Sequence, residues 1–535
     1  MNAKRLIVAL LPFLLLAASC ESTRNSNLSL IVALLNLADC SSISDPNFSD
    51  QWHLQNTAQT SGTSGEDSNV KSLWTSGNCG TGVSVAIVSD GLDIDHEDLQ
   101  NNVERGKSYN YVNASRDPGT AGTGLGTAMA GIIAAEPNNK GVRGVAPYAK
   151  LRGFNLSQSR STANDADAMI RGLSEVSIYA NGWAEPELSG KFQDSTSEWR
   201  SAIETGLSTG RGGLGALYFF GSGDGDNSAS FTGIDNSNHN GFTNYHGTMA
   251  ICGVGHDGVR ASFSEQGANL LVCGHSKGNG DIGIRTTDAT GSSGYNDGSS
   301  GTEYSDSSYT KLATGTGTAA AEVAGVAALI LKANPQLSWR DVRMILARSA
   351  RKNHSGDSDW TTNGAGLNIN HKYGFGVVDA NAAVNLAFNW TALATQKTFQ
   401  TSTSTVSASV PDGNATGVTN SIVVSGSGLS TIEYVDVNVT FNHNYFRDLD
   451  ITLTSPSGTQ SILLSRGSDG ICVNLSTFTI EANGNCPFSG TWRFGVLRAM
   501  GEPANGTWSL RIRDQGARGT ANGVFTSWSM KFYGY

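Results

Sequence analysis

The stretch Val85-Ala-Ile-Val-Ser-Asp-Gly-Leu-Asp-Ile-Asp-His-Glu-Asp-Leu99 decides the fold of this chain. The apolar run of residues 83–88, which overlaps the start of this stretch, predicts a buried strand. Residues 216–220 predict another. Helical patterns alternate with such strands from about residue 45 to residue 387. This alternation indicates an α/β fold, with a parallel sheet covered by helices in three layers.

Two helices near the end of this region have clear boundaries. Residues 318–332 are rich in alanine and leucine, and Pro335 ends the helix that they predict. Ser338 followed by Asp341 resembles a capping box, which predicts a second helix over residues 339–350.

The composition changes after about Trp390 to short alternating runs of Ser, Thr, Val and Gly. Residues 435–441 and 451–454 read as strands between turn clusters. We therefore expect an all-β domain of two packed, jelly-roll-like sheets.

Composition and charge limit the kinds of function that this chain can have. Glycine accounts for 65 of the 535 residues and only 15% are charged, which suits strand-rich extracellular folds. The formal net charge is −10, and the absence of a basic run argues against nucleic acid as a partner.

The first twenty residues read as an export signal. Lys4 and Arg5 precede an apolar run, and the small residues 17–19 precede Cys20. The sequence Leu-Ala-Ala-Ser-Cys resembles a bacterial lipoprotein box, so we expect residues 1–20 to be a signal peptide and Cys20 to carry a lipid. The alternative is an ordinary signal peptide with a free thiol. A second apolar stretch, residues 28–38, is too short to span a bilayer and has no assigned role.

Six cysteines remain after Cys20, an even number in a chain expected to be exported to an oxidising compartment. Disulfides are therefore expected. Of about 15 connectivities, nearest-neighbour pairing is the simplest, and it joins Cys40 with Cys79, Cys252 with Cys273, and Cys472 with Cys486.

Three ordered blocks give the chain a family resemblance. The opening stretch is similar to the block that supplies the catalytic aspartate of kexin/furin-type subtilisin proteases, and residues 124–135 and 315–329 are similar to the blocks around the histidine and the serine. Residues 447–459, 505–508 and 527–529 resemble landmarks of the P domain that follows the protease domain in this family. The resemblance implies a linker over residues 21–44, a subtilisin/kexin-like domain over 45–390 and a P domain over 391–535.

The catalytic positions implied by the resemblance are all substituted. The chemistry needs a nucleophile, an imidazole to take its proton and a carboxylate to orient the imidazole. Ser89, Leu125 and Gly317 occupy the aspartate, histidine and serine positions. Asp90 lies one residue late on a strand, and Thr318 lies about 100° further round a helix, so neither replaces the missing group.

The surroundings of these positions are altered as well. Asp224 aligns with the oxyanion asparagine, and a carboxylate there repels a developing oxyanion unless it is protonated. Asn240 and Gly182 change the region that reads basic side chains in kexins. His246 in His246-Gly-Thr248 spells the missing histidine motif, but its neighbours align elsewhere, and we expect a surface or packing histidine.

A calcium site is implied by three oxygen donors. Asp45, Asp98 and Asn139 align with ligands of a family calcium site, and calcium prefers such hard donors. The alternative is that Asp98 caps a turn and the other two side chains are solvated.

These observations favour a catalytically inactive relative that is anchored in the bacterial envelope, inner or outer membrane, and binds a protein or peptide. Two alternatives stay open. One is an active serine endopeptidase with a rearranged set such as Thr318, His246 and Asp90, and the other is a structural or adhesive envelope module.

Overall fold

A computed structural model of the chain describes residues 40–119, 124–183, 188–226, 235–278, 280, 282–466, 472–474, 477, 479–481, 486–519 and 523–535. The predicted signal peptide, Cys20 and the stretch 28–38 lie outside these residues and stay predictions.

The first half of the described chain is built on a parallel sheet of seven strands in the order β2-β3-β1-β4-β5-β6-β7. Its strands are β1 Ser84–Ser89, β2 Tyr109–Asn110, β3 Lys150–Asn155, β4 Ile178–Asn181, β5 Leu217–Gly221, β6 Met249–Val254 and β7 Leu270–His275. β1 and β5 each begin one residue later than predicted. β1, β4, β6 and β7 are buried along their whole length, as expected for strands covered on both faces.

Helices cover both faces of this sheet. They are α1 Lys71–Thr75, α2 Leu125–Ala134, α3 Thr162–Ile170, α4 Ser197–Thr209, α5 Thr316–Ala333, α6 Trp339–Ser349 and α7 Ala380–Phe388. Among the described residues α5 alone is long and apolar enough to cross a membrane, but 83% of its apolar window is buried in the core. The capping box of Ser338 and Asp341 opens α6, as predicted.

Two short hairpins follow within this domain, and a second domain made of strands ends the chain. The hairpins pair β8 Ile284–Thr287 with β9 Tyr309–Ala313, and β10 Thr361–Thr362 with β11 Asn368–Ile369. The strands of the C-terminal β domain are β12 Lys397–Gln400, β13 Ser404–Val410, β14 Val418–Val424, β15 Ile432–His443, β16 Leu449–Thr454, β17 Gln460–Leu464, β18 Val473–Asn474, β19 Thr479–Ile480, β20 Phe488–Val496, β21 Gly506–Asp514 and β22 Gly523–Gly534. One sheet has five strands and the other four, with a small ribbon of β18 and β19 beside them. The predicted pair of sheets is confirmed.

The two domains meet in a contact that we call the domain seam, formed chiefly by Phe192, Arg340, Arg343, Glu433 and Trp492. Phe192 stacks on Trp492 with ring centroids 4.5 Å apart. Arg340 Nε donates to the buried carboxylate of Glu433 at 2.8 Å. The β domain is therefore held to the sheet domain by both an aromatic anchor and a buried ion pair.

All three expected disulfides are present. Cys40 is bonded to Cys79, Cys252 to Cys273 and Cys472 to Cys486. The second of these crosses between the neighbouring strands β6 and β7.

Candidate functional site

The positions predicted to correspond to the catalytic residues converge at the carboxyl ends of β1, β4 and β5, where parallel α/β sheets bind their ligands. We call Ser89, Leu125, Gly182, Asp224 and Gly317 the cleft centre. A β-carbon placed on Gly317 would lie 3.6 Å from Leu125 Cδ2 and 3.6 Å from Gly182 Cα. The nucleophile and base positions therefore face each other, but the first has no side chain and the second an alkyl group.

Ser89 is the last residue of β1 and is fully buried. Its hydroxyl lies 3.3 Å from Asp90 Oδ1 and 3.4 Å from the carbonyl oxygen of Gly182. A β-carbon on Gly182 would lie 2.9 Å from this hydroxyl but only 2.4 Å from Met129 Sδ. Glycine is therefore needed at position 182, and the acceptors within reach of the Ser89 hydroxyl are Asp90 and the Gly182 carbonyl, not an imidazole.

Asp90 caps α2. Its carboxylate accepts the backbone N–H of Gly126 at 2.8 Å and that of Leu125 at 3.2 Å. Burial raises the pKa of Asp90, and these N–H donors partly oppose the rise. The carboxylate serves the helix N-terminus, where negative charge is favourable.

Asp224 occupies the corresponding place at the N-terminus of α5. Its Oδ1 accepts the N–H of Thr316 at 2.7 Å, and its Oδ2 would lie 2.7 Å from a β-carbon on Gly315. Burial raises the pKa of Asp224 and the hydrogen bonds from Thr316 oppose the rise. The carboxyl group of Asp224 thus already occupies the N-terminus of α5, the helix end that favours anions. Gly317 lies on this helix.

The residues of the rearranged site do not meet. Thr318 is buried and donates its hydroxyl to Ser276 Oγ and the Gly315 carbonyl at 2.9 and 2.8 Å. His246 bonds Glu204 at 2.6 Å and stacks on Tyr533 of the β domain at 4.0 Å. His246 therefore lies against the β domain. Among the described residues it has no hydrogen bond to Thr318.

The cleft at the cleft centre is small, and polar and apolar groups both line it. The cleft there has a volume of about 70 Å³, and Trp183 lines it beside Gly182. Asn240 is neutral and does not line this cleft; its side-chain oxygen accepts the N–H of Phe242 at 2.9 Å and closes a turn. Residues 184–187 and 227–234, which follow two of the lining segments, lie outside the described residues.

The three candidate calcium ligands lie together. Asn139 N–H donates to Asp45 Oδ1 at 3.3 Å, and Asp45 Oδ2 lies 2.9 Å from Arg143 Nε. Asp98 Oδ2 accepts the N–H of Val142 at 2.9 Å, while its Oδ1 is buried with no hydrogen-bond partner among the described residues. Burial raises the pKa of Asp98 to about 8, and the nearby carboxylate of Asp45 adds to the rise. The unpaired oxygen of Asp98 beside the carboxylate of Asp45 fits a cation. Arg143 already neutralises part of the negative charge of this pair.

A buried polar cluster beneath the cleft was not anticipated from the sequence. His275, at the end of β7, bonds Glu322 of α5 through Nδ1 at 2.9 Å, and both are buried. Burial alone would lower the pKa of His275, but the carboxylates of Glu322 and Glu66 outweigh it and raise the pKa to about 9. A glutamate inside an otherwise apolar helix was the signal available, because such a residue needs a buried partner.

The architecture and the apposed positions define a protease-type α/β scaffold with an appended β domain. The family model described as the subtilase family matches residues 80–376, and that of the proprotein convertase P-domain matches residues 432–532. The chain therefore belongs to the subtilase family.

Curated relatives and a solved structure agree over most of the length. Neuroendocrine convertase 2 of Homo sapiens is 32% identical over 518 residues, which cover 92% of this chain and 74% of the relative. Furin of Bos taurus is 31% identical and covers 92% of this chain, which spans 58% of furin. The crystal structure of a serine protease of Aeromonas sobria matches with a TM-score of 0.78 at 26% identity, covering 92% of this chain and 96% of that one.

Proposed function

We propose that this subtilase relative is catalytically inactive and acts as an envelope-anchored protein that binds a protein or peptide. The observation that carries the proposal is the apposition of Leu125 and Gly317, whose positions lie in contact but supply neither base nor nucleophile. The binding face that we assign to the ligand is the cleft centre with its rim.

The chemistry of acyl transfer supports this proposal. In a subtilisin the triad accounts for roughly a million-fold in turnover, and the oxyanion hole and binding account for most of what remains. Here the oxyanion end of α5 holds the Asp224 carboxyl group, which competes with a substrate oxyanion for the N–H of Thr316. The triad positions and the oxyanion end of the site are therefore altered together.

A fluorophosphonate probe tests inactivity. Incubation of the mature chain with the probe should give no covalent adduct by intact-mass spectrometry, while a subtilisin at the same concentration is labelled fully. An adduct that maps to a serine or threonine of the chain would refute the inactive assignment and favour the rearranged endopeptidase.

A cleft-filling variant tests the binding assignment. Gly317→Phe has space at its β-carbon, since its neighbours lie at ordinary contact distances of 3.6 Å, and its ring would occupy the cleft. Peptides selected on the mature chain should bind this variant at least about tenfold more weakly. Gly301→Phe is the matched control, because nothing lies within 4 Å of a β-carbon there. Equal loss in both variants, or none in Gly317→Phe, counts against the cleft and favours the adhesive alternative.

We also propose a structural calcium ion held by Asp45, Asp98 and Asn139, and a lipid on Cys20 that places the chain on the envelope. Calcium at about a hundredfold excess over its dissociation constant should stabilise the fold by about 2.7 kcal/mol. Chelation should reverse the effect, and Asp98→Asn should abolish it; stability that ignores calcium counts against the site. Mass spectrometry of membrane-extracted protein tests the lipid, and an unmodified Cys20 thiol would contradict it.

A further inference from the structure

A second cleft, of about 350 Å³, opens where the hairpin β10–β11 meets the β domain. We call it the seam cleft. Ser358, Asp359 and Thr361 line it from the sheet domain, and Ser457, Thr459 and Arg498 line it from the β domain. It is separate from the cleft centre, since the two clefts share no lining residue.

Arg498 is the unusual member of the seam cleft. It is 4% exposed, and Nε donates to the carbonyl oxygen of Gln460 at 2.9 Å. Nη1 is buried and has no hydrogen-bond partner, and Nε is the one guanidinium nitrogen with a partner among the described residues. A buried cation with one neutral acceptor and an unpaired nitrogen is costly, so the site suits an anionic group that the chain itself does not supply.

The nearest acid does not fill this role. Both oxygens of Asp359 lie 3.0 Å from His371 Nδ1, and Asp359 Oδ2 also accepts the backbone N–H of His371. His371 Nε2 accepts the N–H of Ile462 at 2.9 Å, so the ring is neutral with its proton on Nδ1. Burial lowers the pKa of Arg498 to about 10, and the charge of Asp359 only partly offsets this. The guanidinium therefore stays cationic near neutral pH without a direct ion pair.

We propose that the seam cleft binds an oxyanion, a carboxylate or a phosphoryl group, on the guanidinium of Arg498. The guanidinium of arginine forms strong charge-assisted hydrogen bonds to either group. The exposed hydroxyls of Thr361 and Ser457 stand at the rim and can donate to the remaining oxygens. Because the walls come from both domains, an occupant also ties the domains together and stabilises the native state.

Titration of the intact mature chain tests the proposal. Sodium acetate and inorganic phosphate are added separately at an ionic strength held constant with sodium chloride, and binding is followed by calorimetry and by the thermal midpoint. At least one anion should bind saturably and raise the midpoint; tighter binding of acetate identifies a carboxylate ligand, and tighter binding of phosphate a phosphoryl ligand. Absence of saturable binding by both overturns the proposal.

Two variants assign the binding to this place. Arg498→Gln should weaken it by about ten- to a hundredfold, the loss expected for hydrogen bonds to a charged group. Arg211→Gln is the matched control, because Arg211 lines a different cleft of about 320 Å³ and donates to the carbonyl oxygens of Gly215, Leu337 and Pro335. Should Arg498→Gln fail to fold, Thr361→Trp fills the cleft from its exposed rim and should block binding equally. Unchanged affinity in whichever of these two variants folds overturns the proposal.

Discussion

At the cleft centre, Leu125 and the bare backbone of Gly317 face each other without a polar contact, whereas at the domain seam Arg340 and Arg343 share the buried carboxylate of Glu433. The cleft centre presents an alkyl group and a glycine at Leu125 and Gly317, whereas the seam buries charged side chains that hold the two domains together. Burying charge is costly unless it is fully paired, so the seam specifies one arrangement of the two domains. The difference teaches that this chain retains the framework of the family around the cleft, and under the proposed function the cleft serves for binding and not for catalysis.

The largest expected effect lies at the seam. Glu433→Gln removes the negative charge that Arg340 and Arg343 share and leaves two buried cations without a counter-charge. We expect the free energy of unfolding to fall by about 3–5 kcal/mol, measured by urea denaturation. Asp95→Asn is the control, since its ion pair with Arg105 is 76% exposed at the aspartate and should change stability by less than about 1 kcal/mol. Equal losses of stability in the two variants would contradict the expected difference between the buried seam and the exposed surface.

The cluster beneath the cleft gives a pH dependence. The pKa of His275 is about 9 in the folded chain, above its ordinary value of 6.5, because Glu322 and Glu66 favour its charged form over the effect of burial. His53, also in this cluster, has its pKa lowered to about 3 by burial and stays neutral, and Arg351 pairs with Glu66.

A raised histidine pKa contributes stability that is complete below pH 6.5 and is lost as the pH rises through 9. We expect a loss of about 3 kcal/mol across this window, followed by denaturation at several pH values. In His275→Gln the slope between these pH values should flatten. A wild-type stability that rises with pH over the same range contradicts the assigned charge.

The next largest loss of stability is expected at Phe192, the aromatic anchor of the domain seam. Phe192 lies within a cage of β-domain rings, stacked on Trp492 and 4.7 Å from Phe446 between centroids. Because Phe192 is only half-buried, Phe192→Ala should cost about 2–3 kcal/mol, somewhat less than full truncation of a core phenylalanine. Phe388→Ala is the matched control, since Phe388 is 61% exposed and should change little. Thermal unfolding of both variants in parallel makes the comparison, and similar midpoints would show that the seam does not depend on this ring.

Much of the framework could be predicted from the sequence. Buried strands and capped helices have local signatures, so β1, β5, α5 and α6 were expected within one or two residues of their observed bounds. The convergence of positions 89, 125 and 317 followed from the ordered blocks, because the fold that these blocks resemble brings their positions together.

The partners of individual side chains could not be predicted. Asp90 and Asp224 cap helices that begin 35 and 92 residues away, and Arg498 faces a cleft whose walls lie on both domains. Such contacts depend on how elements pack in three dimensions, and no local pattern records them. The unpaired oxygen of Asp98 could not be predicted for the same reason, because it depends on which groups pack around the side chain in three dimensions.

The smallest expected effect lies at the cleft centre itself. Gly317→Ser restores a hydroxyl at the nucleophile position, and its β-carbon would meet Leu125 Cδ2 at 3.6 Å, an ordinary contact. Replacing glycine within α5 should raise stability by no more than about 0.5 kcal/mol. No labelling by a fluorophosphonate is expected, because Leu125 offers no base and Asp224 still holds the N–H of Thr316. The control is the fourfold variant Ser89→Asp, Leu125→His, Gly317→Ser and Asp224→Asn, in which labelling should appear. Labelling of Gly317→Ser alone would show that the missing nucleophile was the one defect, and that the rest of the cleft had kept its chemistry.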